Sequence, residues 1–190
     1  MMFLPVRSWL SCLCSIFIYL FILSCSASLS QHDLRDFELG KEALTQQNYN
    51  EAIGYFKAYL EKSPQDGDAH VQLGLALLKK GSLREAVGEF KRSMNLNPTS
   101  KENSTFIKKG IFDEASTFFS EGKNDVGMRY LTAYLTINPD DIDTHIILAK
   151  EFIKMGSTRN AMLCLNKAVS LDPKNPEVVK LLDYFSDGFH

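Results

Sequence analysis

The stretch REAVGEFKRSMNLNP, Arg84 to Pro98, returns as RNAMLCLNKAVSLDP, Arg159 to Pro173. Ala86 and Ala161 share one offset, Leu96 and Leu171 another, and a proline closes both phrases. A phrase that recurs in one chain points to a repeated structural unit, and a period of roughly 20–50 residues points to stacked repeats. Working outward, Pro64, Pro98, Pro139 and Pro173 fall at intervals of 34, 41 and 34 residues. Read back from each proline, the units are 33–66, 67–100, 108–141 and 142–175, with a seven-residue insertion, 101–107, before the third. Seven residues make about two helical turns, so a helix can lengthen there with little rotation of its apolar face.

Each unit carries two segments with helical apolar spacing, parted by a turn. In the second unit Val71, Leu73, Gly74, Leu77 and Leu78 form the first stripe, and Ala86, Val87, Phe90 and Met94 the second. Gly81 supplies a left-handed stop, and Ser82 with Glu85 predicts a capping box at the next helix start. Asn48 with Glu51 repeats the box in the first unit, and Gly156 with Ser157 repeats stop and cap in the fourth. The closing prolines prevent the helices from continuing.

These residues resemble the tetratricopeptide repeat family. Its pattern appears as Leu39-Gly40, Ala43, Ala52, Phe56 and Pro64; as Leu73-Gly74, Leu77, Ala86, Phe90 and Pro98; and as Leu148-Ala149, Phe152, Ala161, Leu165 and Pro173. The third unit departs from it, with Glu114-Ala115 for Leu-Gly and Gly127 for Ala, while Phe118, Leu131 and Pro139 fit. The resemblance implies an all-α solenoid of helix-turn-helix units. Small residues at 40, 74, 115 and 149, and at 52, 86, 127 and 161, let helix axes approach within about 8–10 Å. One such pair cannot bury its own apolar face, so neighbours stack and the last face is sealed. PEVVKLLDYF, Pro176 to Phe185, is expected to be that capping helix, with Val178, Val179, Leu181 and Leu182 inward and residues to 190 as its tail.

The first thirty residues read differently. Arg7 precedes an apolar run from Trp9 to Leu23, and no other formal charge occurs before Asp33. This is the layout of an export signal. Ile22-Leu23-Ser24-Cys25 resembles the lipobox of bacterial lipoproteins, which implies a signal peptide over 1–24, lipidation of Cys25 and a linker over 25–32. Two alternatives stay open: a plain cleaved signal, and an uncleaved anchor over residues 8–31. The expected location is the periplasmic side of the bacterial outer membrane, with secretion or inner-membrane anchoring as the alternatives.

Composition excludes other classes. Lys and Arg total 21 against 23 Asp and Glu, with no basic run, so a nucleic-acid partner is not expected. Of four cysteines only Cys164 lies in the body, where its helical position points inward, so no disulfide framework exists there. No phosphate-cradling loop, zinc-type His/Cys spacing or nucleophile elbow occurs, so neither an enzyme nor a cofactor or metal is expected. His70 and His145 share the fourth position of their units and read as packing residues with no acidic partner beside them. Asn103-Ser104-Thr105 is a glycosylation sequon, meaningful in a eukaryotic host alone.

The family resemblance implies that positions two, five, nine, twelve and thirteen of each unit face a concave groove. Those residues are Phe37, Lys41 and Leu44; Val71, Leu75, Leu78 and Lys79; Phe112 and Phe119; and Ile146, Lys150 and Ile153. The family's carboxylate clamp is missing, because Phe37, Lys41, Val71 and Leu75 occupy its positions. The expected function is a non-catalytic scaffold that holds a protein partner in this groove, resembling small repeat lipoproteins that assemble envelope complexes. The alternatives are a self-associating structural module and a support subunit of an enzyme.

Overall fold

A computed structural model describes residues 34–187, and these divide after Pro64 into two compact units. All regular elements among the described residues are helices. The first unit holds α1 (34–45) and α2 (Tyr49–Lys62). The second holds α3 (Gly67–Lys79), α4 (Leu83–Leu96), α5 (Lys101–Ser120), α6 (Asn124–Leu135), α7 (Ile142–Lys154), α8 (Thr158–Leu171) and α9 (Pro176–Asp187). Within it α3 pairs with α4, α5 with α6 and α7 with α8, while α3 also packs on α5 and α9 on α8. This is the all-α helix-turn-helix architecture expected from the period. At 20 residues α5 exceeds the 13-residue α3 and α7 by the length of the 101–107 insertion, which extends the helix at its start.

Packing inside each pair follows a volume rule. Gly40 faces Phe56 and Gly74 faces Phe90; a Cβ at either glycine would stand 2.6 and 2.4 Å from the ring. Both rings are fully buried. Where the later units carry Ala115 and Ala149 at the glycine position, the ring gives way to Leu131 and Leu165. One methyl gained on the first helix is offset by a smaller side chain on the second. The third unit adds a pair of its own, with Gly127 on α6 lying against the Phe119 ring of α5. At the end of the chain, Ile146, Ala149, Leu165, Ala168 and Val178 form one core cluster, with Leu181, Leu182 and Phe185 of α9 packed against it. Val179, expected inward, is 42% exposed, because its neighbour Val178 takes the inward direction and the next residue lies about 100° around the helix.

The four turns inside the helix pairs share a geometry that differs from the expected capping boxes. Asn48, Ser82 and Ser157 do stand at the N-caps of α2, α4 and α8, but none makes a side-chain capping bond. Instead each turn is a Schellman closure of the preceding helix. The amides of Asn48, Ser82, Lys123 and Ser157 donate to carbonyls five residues back, Ala43, Leu77, Phe118 and Phe152, at 2.8–2.9 Å. This commits the N-cap residue's backbone to the outgoing helix and leaves its side chain outside the new one. Side-chain caps occur where the chain passes from one pair to the next: Asp66 before α3, Ser100 before α5, Asp141 before α7 and Asn175 before α9.

The Schellman closure needs a left-handed residue, supplied by Gly81, Gly122 and Gly156 at φ +87, +73 and +70. In the first pair the place belongs to Gln47, at φ 62. A side chain in this region costs about 1–2 kcal/mol, and glycine's extra chain entropy returns roughly 0.5–1 of it. Gln47→Gly is therefore expected to stabilise the first unit by about 0.5–1 kcal/mol. Urea unfolding checks this, and a lower midpoint in the variant contradicts it.

Candidate functional site

The residues expected on a partner face separate into three groups. Val71, Leu78 and Ile146 are 1%, 0% and 3% exposed, so they belong to the chain's own core and have no surface to offer. The spacing that puts them on the inner side of the first helices is the spacing that packs one first helix on the next. Leu75 joins them in that work, since its Cδ2 would lie 2.5 Å from a Cβ at Gly110 of α5. Phe119 is drawn onto Gly127, and Phe37 sets its ring against Phe56 and Tyr59 at 5.8 and 5.2 Å within the first unit. Leu44 is half-buried on α1.

The lysines form a second group, and in the second unit they tie helices together. Lys79 on α3 donates to Glu114 on α5 at 2.7 Å, and Lys150 on α7 to Glu177 on α9 at 2.6 Å. Lys108, which the groove positions did not include, does the same between α5 and the start of α7, reaching Asp141 at 2.8 Å and Asp143 at 2.9 Å. In the first unit Lys41 pairs with Glu38 on its own helix and stands 5.2 Å from the Phe37 ring centroid. Each half-exposed pair contributes about 0–1 kcal/mol. These ties carry no sequence signal of their own, because the lysine and its acid stand 27, 33 or 35 residues apart with no common place in the unit.

Lys108 and Asp141 are the best-connected of these groups. Burial works against charge on Asp141, but hydrogen bonds from Lys108 and from the Thr144 hydroxyl and amide outweigh it and hold the carboxyl below the usual carboxylate range. Lys108 is likewise pulled down by burial, then lifted above the ordinary lysine value by its bonds to Asp141 and Asp143. The nearby Tyr134 hydroxyl, buried and accepting from Asn138 at 2.9 Å, is raised above the ordinary tyrosine value chiefly by burial.

The third group, Phe112 and Ile153, lines open clefts in the second unit. Phe112 meets Tyr134 edge-on at 5.7 Å and borders a cleft of about 670 Å³ with Lys108, Lys109, Asn138 and Pro139. Ile153, with Lys150, borders a second cleft of about 550 Å³ between α7 and α9. The first unit has its own shallow cleft of about 390 Å³ along α1, bordered by Arg35, Glu38 and Lys41.

The remaining chemistry-bearing residues are structural in this arrangement. His70 has the acidic partner that the sequence reading did not expect: its Nδ1 donates to Glu89 at 2.7 Å, and Arg92 holds the other carboxylate oxygen at 2.8 Å. The place of Glu89 in the fourth unit is taken by Cys164, so His145 turns instead to the Pro139 carbonyl, which its Nε2 meets at 2.9 Å. No group of three or more His, Cys, Asp or Glu able to hold a metal occurs among the described residues. Cys164 is half-buried beside the last core cluster, and burial pushes its thiol up. Asn103 of the sequon is 4% exposed in α5 and donates its amide to the buried Ser93 hydroxyl at 3.2 Å, so the folded chain does not present it to a glycosyltransferase. Cys25 and the segment expected to be an export signal lie outside the described residues, and no described helix is long and apolar enough to cross a membrane.

Comparison with known proteins bears on the repeat itself. One tetratricopeptide repeat model matches residues 37–99 and a second matches 142–175, together just over half of the chain. DnaJ homolog subfamily C member 3 of Homo sapiens is 30% identical over 132 residues, covering 64% of this chain and 26% of that protein. Cell division cycle protein 27 homolog of Caenorhabditis elegans is 25% identical over 166 residues, covering 73% of this chain and 21% of its own. The chain thus spans about a quarter or less of the curated relatives it matches. Among solved structures, MamA (residues 41 to the end) from Desulfovibrio magneticus RS-1 is similar at 19% identity and TM-score 0.42, over 77% of this chain and 78% of that one. YrrB, described as a TPR protein with an unusual peptide-binding site, is similar at 19% identity and TM-score 0.41, over 78% and 73%. Period, paired helices, small-to-large packing and matched models agree: the chain belongs to the tetratricopeptide repeat family.

Proposed function

We propose that this chain is a non-catalytic scaffold, exported and lipid-anchored through Cys25, that holds a protein partner against its first helices during assembly of an envelope complex. The observation that carries the binding role is the accessible apolar and charged lining left along α5, α7 and α9 once the core positions are taken: Phe112, Lys109, Ile153 and Tyr184. A mixed lining of this kind suits a protein segment better than a polyanion, since the whole chain carries a formal charge of −2. Export and anchoring rest on the apolar run Trp9–Leu23 and the Ile22-Leu23-Ser24-Cys25 exit from it.

Two experiments separate the parts of this reading. Whole cells fed radiolabelled palmitate are expected to label the wild-type chain and leave Cys25→Ala unlabelled; equal labelling removes the anchor. A photo-reactive residue placed at Phe112 or Ile153 is expected to crosslink to one protein species in intact cells, whereas the same residue at exposed Gly54 or Gly88 gives none. Crosslinking that is the same at all four positions contradicts binding on this side.

A further inference from the structure

The cleft between α7 and α9 differs in charge from the other two. Its lining holds Lys150, Lys154 and Lys180 against Glu177 alone. The α5 cleft sets Lys108 and Lys109 against Asp113, Asp140 and Asp141, and the α1 cleft balances Arg35 and Lys41 with Glu38 and Glu42. A local excess of lysine in a chain that is acidic overall is a specific local departure. Lys150 is taken by Glu177, and Lys154 by Glu151 at 2.6 Å. Lys180 is exposed, and among the described residues it has no carboxylate partner.

The apolar part of the lining lies beside that lysine. Glu177, Lys180, Leu181 and Tyr184 recur at i, i+3, i+4 and i+7 on one side of α9, and Lys150, Ile153 and Lys154 share one side of α7. Leu181 and Ile153 are half-buried, while Tyr184 is 61% exposed, its ring edge-on to Phe185 at 5.7 Å. A large aromatic side chain left this open at the rim of an apolar cleft offers contact area to a partner, with a hydroxyl for hydrogen bonding.

We infer that the α7–α9 cleft binds an extended protein segment carrying an aliphatic or aromatic side chain next to an acidic one. The apolar side chain lies against Ile153, Leu181 and Tyr184, and the carboxylate meets Lys180. A cation with no carboxylate partner among the described residues, beside an apolar wall, matches a single carboxylate with a hydrophobic neighbour. It does not match a nucleic acid, which would require a row of cations. The inference rests on the scaffold reading above and narrows it to a place and a ligand chemistry.

The test uses the purified full chain in detergent, panned against a random-sequence peptide library displayed on phage. Enriched peptides are expected to place Asp or Glu beside Leu, Ile or Phe. Measured by fluorescence anisotropy, their Kd is expected to rise about tenfold in Lys180→Glu and in Tyr184→Ala, and to stay unchanged in Lys91→Glu on α4, which borders neither cleft. All three substitutions are at exposed positions, and circular dichroism confirms that each variant is folded. Enriched peptides without acidic residues, or a Kd within about twofold of wild type in Lys180→Glu, overturn the inference. If the same peptides respond instead to Lys109→Glu at the α5 cleft, the scaffold reading stands and this cleft is not the site. If nothing is enriched, both fall. A doubled mass in light scattering that Tyr184→Ala abolishes assigns the cleft to a second copy and also overturns it.

Discussion

Phe90→Ala is expected to destabilise the chain by about 3–5 kcal/mol, the usual range for emptying a buried aromatic site. Phe90 is fully buried, and its ring fills the space above Gly74. The reciprocal change is more informative. Gly74→Ala puts a methyl 2.4 Å from the Phe90 Cε1, inside any tolerable contact. Overpacking of this kind costs about 1–3 kcal/mol, even though alanine is the better helix former by roughly 1 kcal/mol. The fourth unit solves the same packing problem with Ala149 and Leu165, both fully buried in one cluster. Combining Gly74→Ala with Phe90→Leu copies that solution, and the double variant is expected to lie within about 1 kcal/mol of wild type. Denaturant unfolding of the four proteins gives the coupling directly. Strict additivity of the two single effects would show that the pair does not interact through volume, and the packing rule for the whole repeat would then fail.

That rule explains why so much of the fold could be read from sequence. Gly40, Gly74, Ala86 and Ala161 have to be small because helices approach each other there, and the prolines have to recur because each pair must end. These are constraints on backbone approach, and they leave a direct mark on residue type. The compensating pairs of the third unit were harder to see. Phe119 stands at the position held by Leu44, Leu78 and Ile153 in the other units, and only the adjacent space above Gly127 explains why its ring turns onto α6.

The candidate site was less legible for a related reason. Helical spacing gives the direction in which a side chain leaves its helix, but it does not say whether the neighbouring helix already covers that direction. Val71, Leu78 and Ile146 point inward, as their spacing requires, and are covered. Lys79 and Lys150 point the same way, and their length carries each amine to a carboxylate on another helix, α5 for Lys79 and α9 for Lys150. The expected capping boxes failed on backbone grounds. A Schellman closure fixes the residue before the helix at φ near −85 and ψ near 65, as at Ser82 and Asn48, where the hydroxyl or amide no longer reaches the first-turn amides. The chain places its working caps at the longer links between pairs, and Asp141 is the one with most attached to it.

Asp141→Ala is accordingly expected to lower stability by about 2–4 kcal/mol. The carboxylate accepts from the Thr144 amide at 2.9 Å and from the Thr144 hydroxyl at 2.7 Å, and it anchors Lys108 of α5. Losing an N-cap costs about 1 kcal/mol. Thr144 is fully buried, so its hydroxyl left without an acceptor adds roughly 1–3 kcal/mol. Lys108→Met removes only the partly exposed ion pairs and should cost about 1 kcal/mol or less. The pH dependence has a definite sign. Asp141 ionises more readily folded than unfolded, so its contribution is complete above the unfolded carboxylate pKa of about 3.9 and is lost as pH falls through the lower folded value. Lys108, held above the ordinary lysine value, contributes fully below about pH 10.4 and loses that contribution at higher pH. Between these limits the link from α5 to α7 should not vary with pH. Asp141→Asn keeps an oxygen for the Thr144 amide but removes the ionisation, so its acid limb is expected to be shallower than that of wild type below about pH 4. Thermal unfolding from neutral pH to strongly acid conditions compares the two. Parallel acid limbs would mean that the shifted carboxyl lies elsewhere and that the cap holds α7 without the charge.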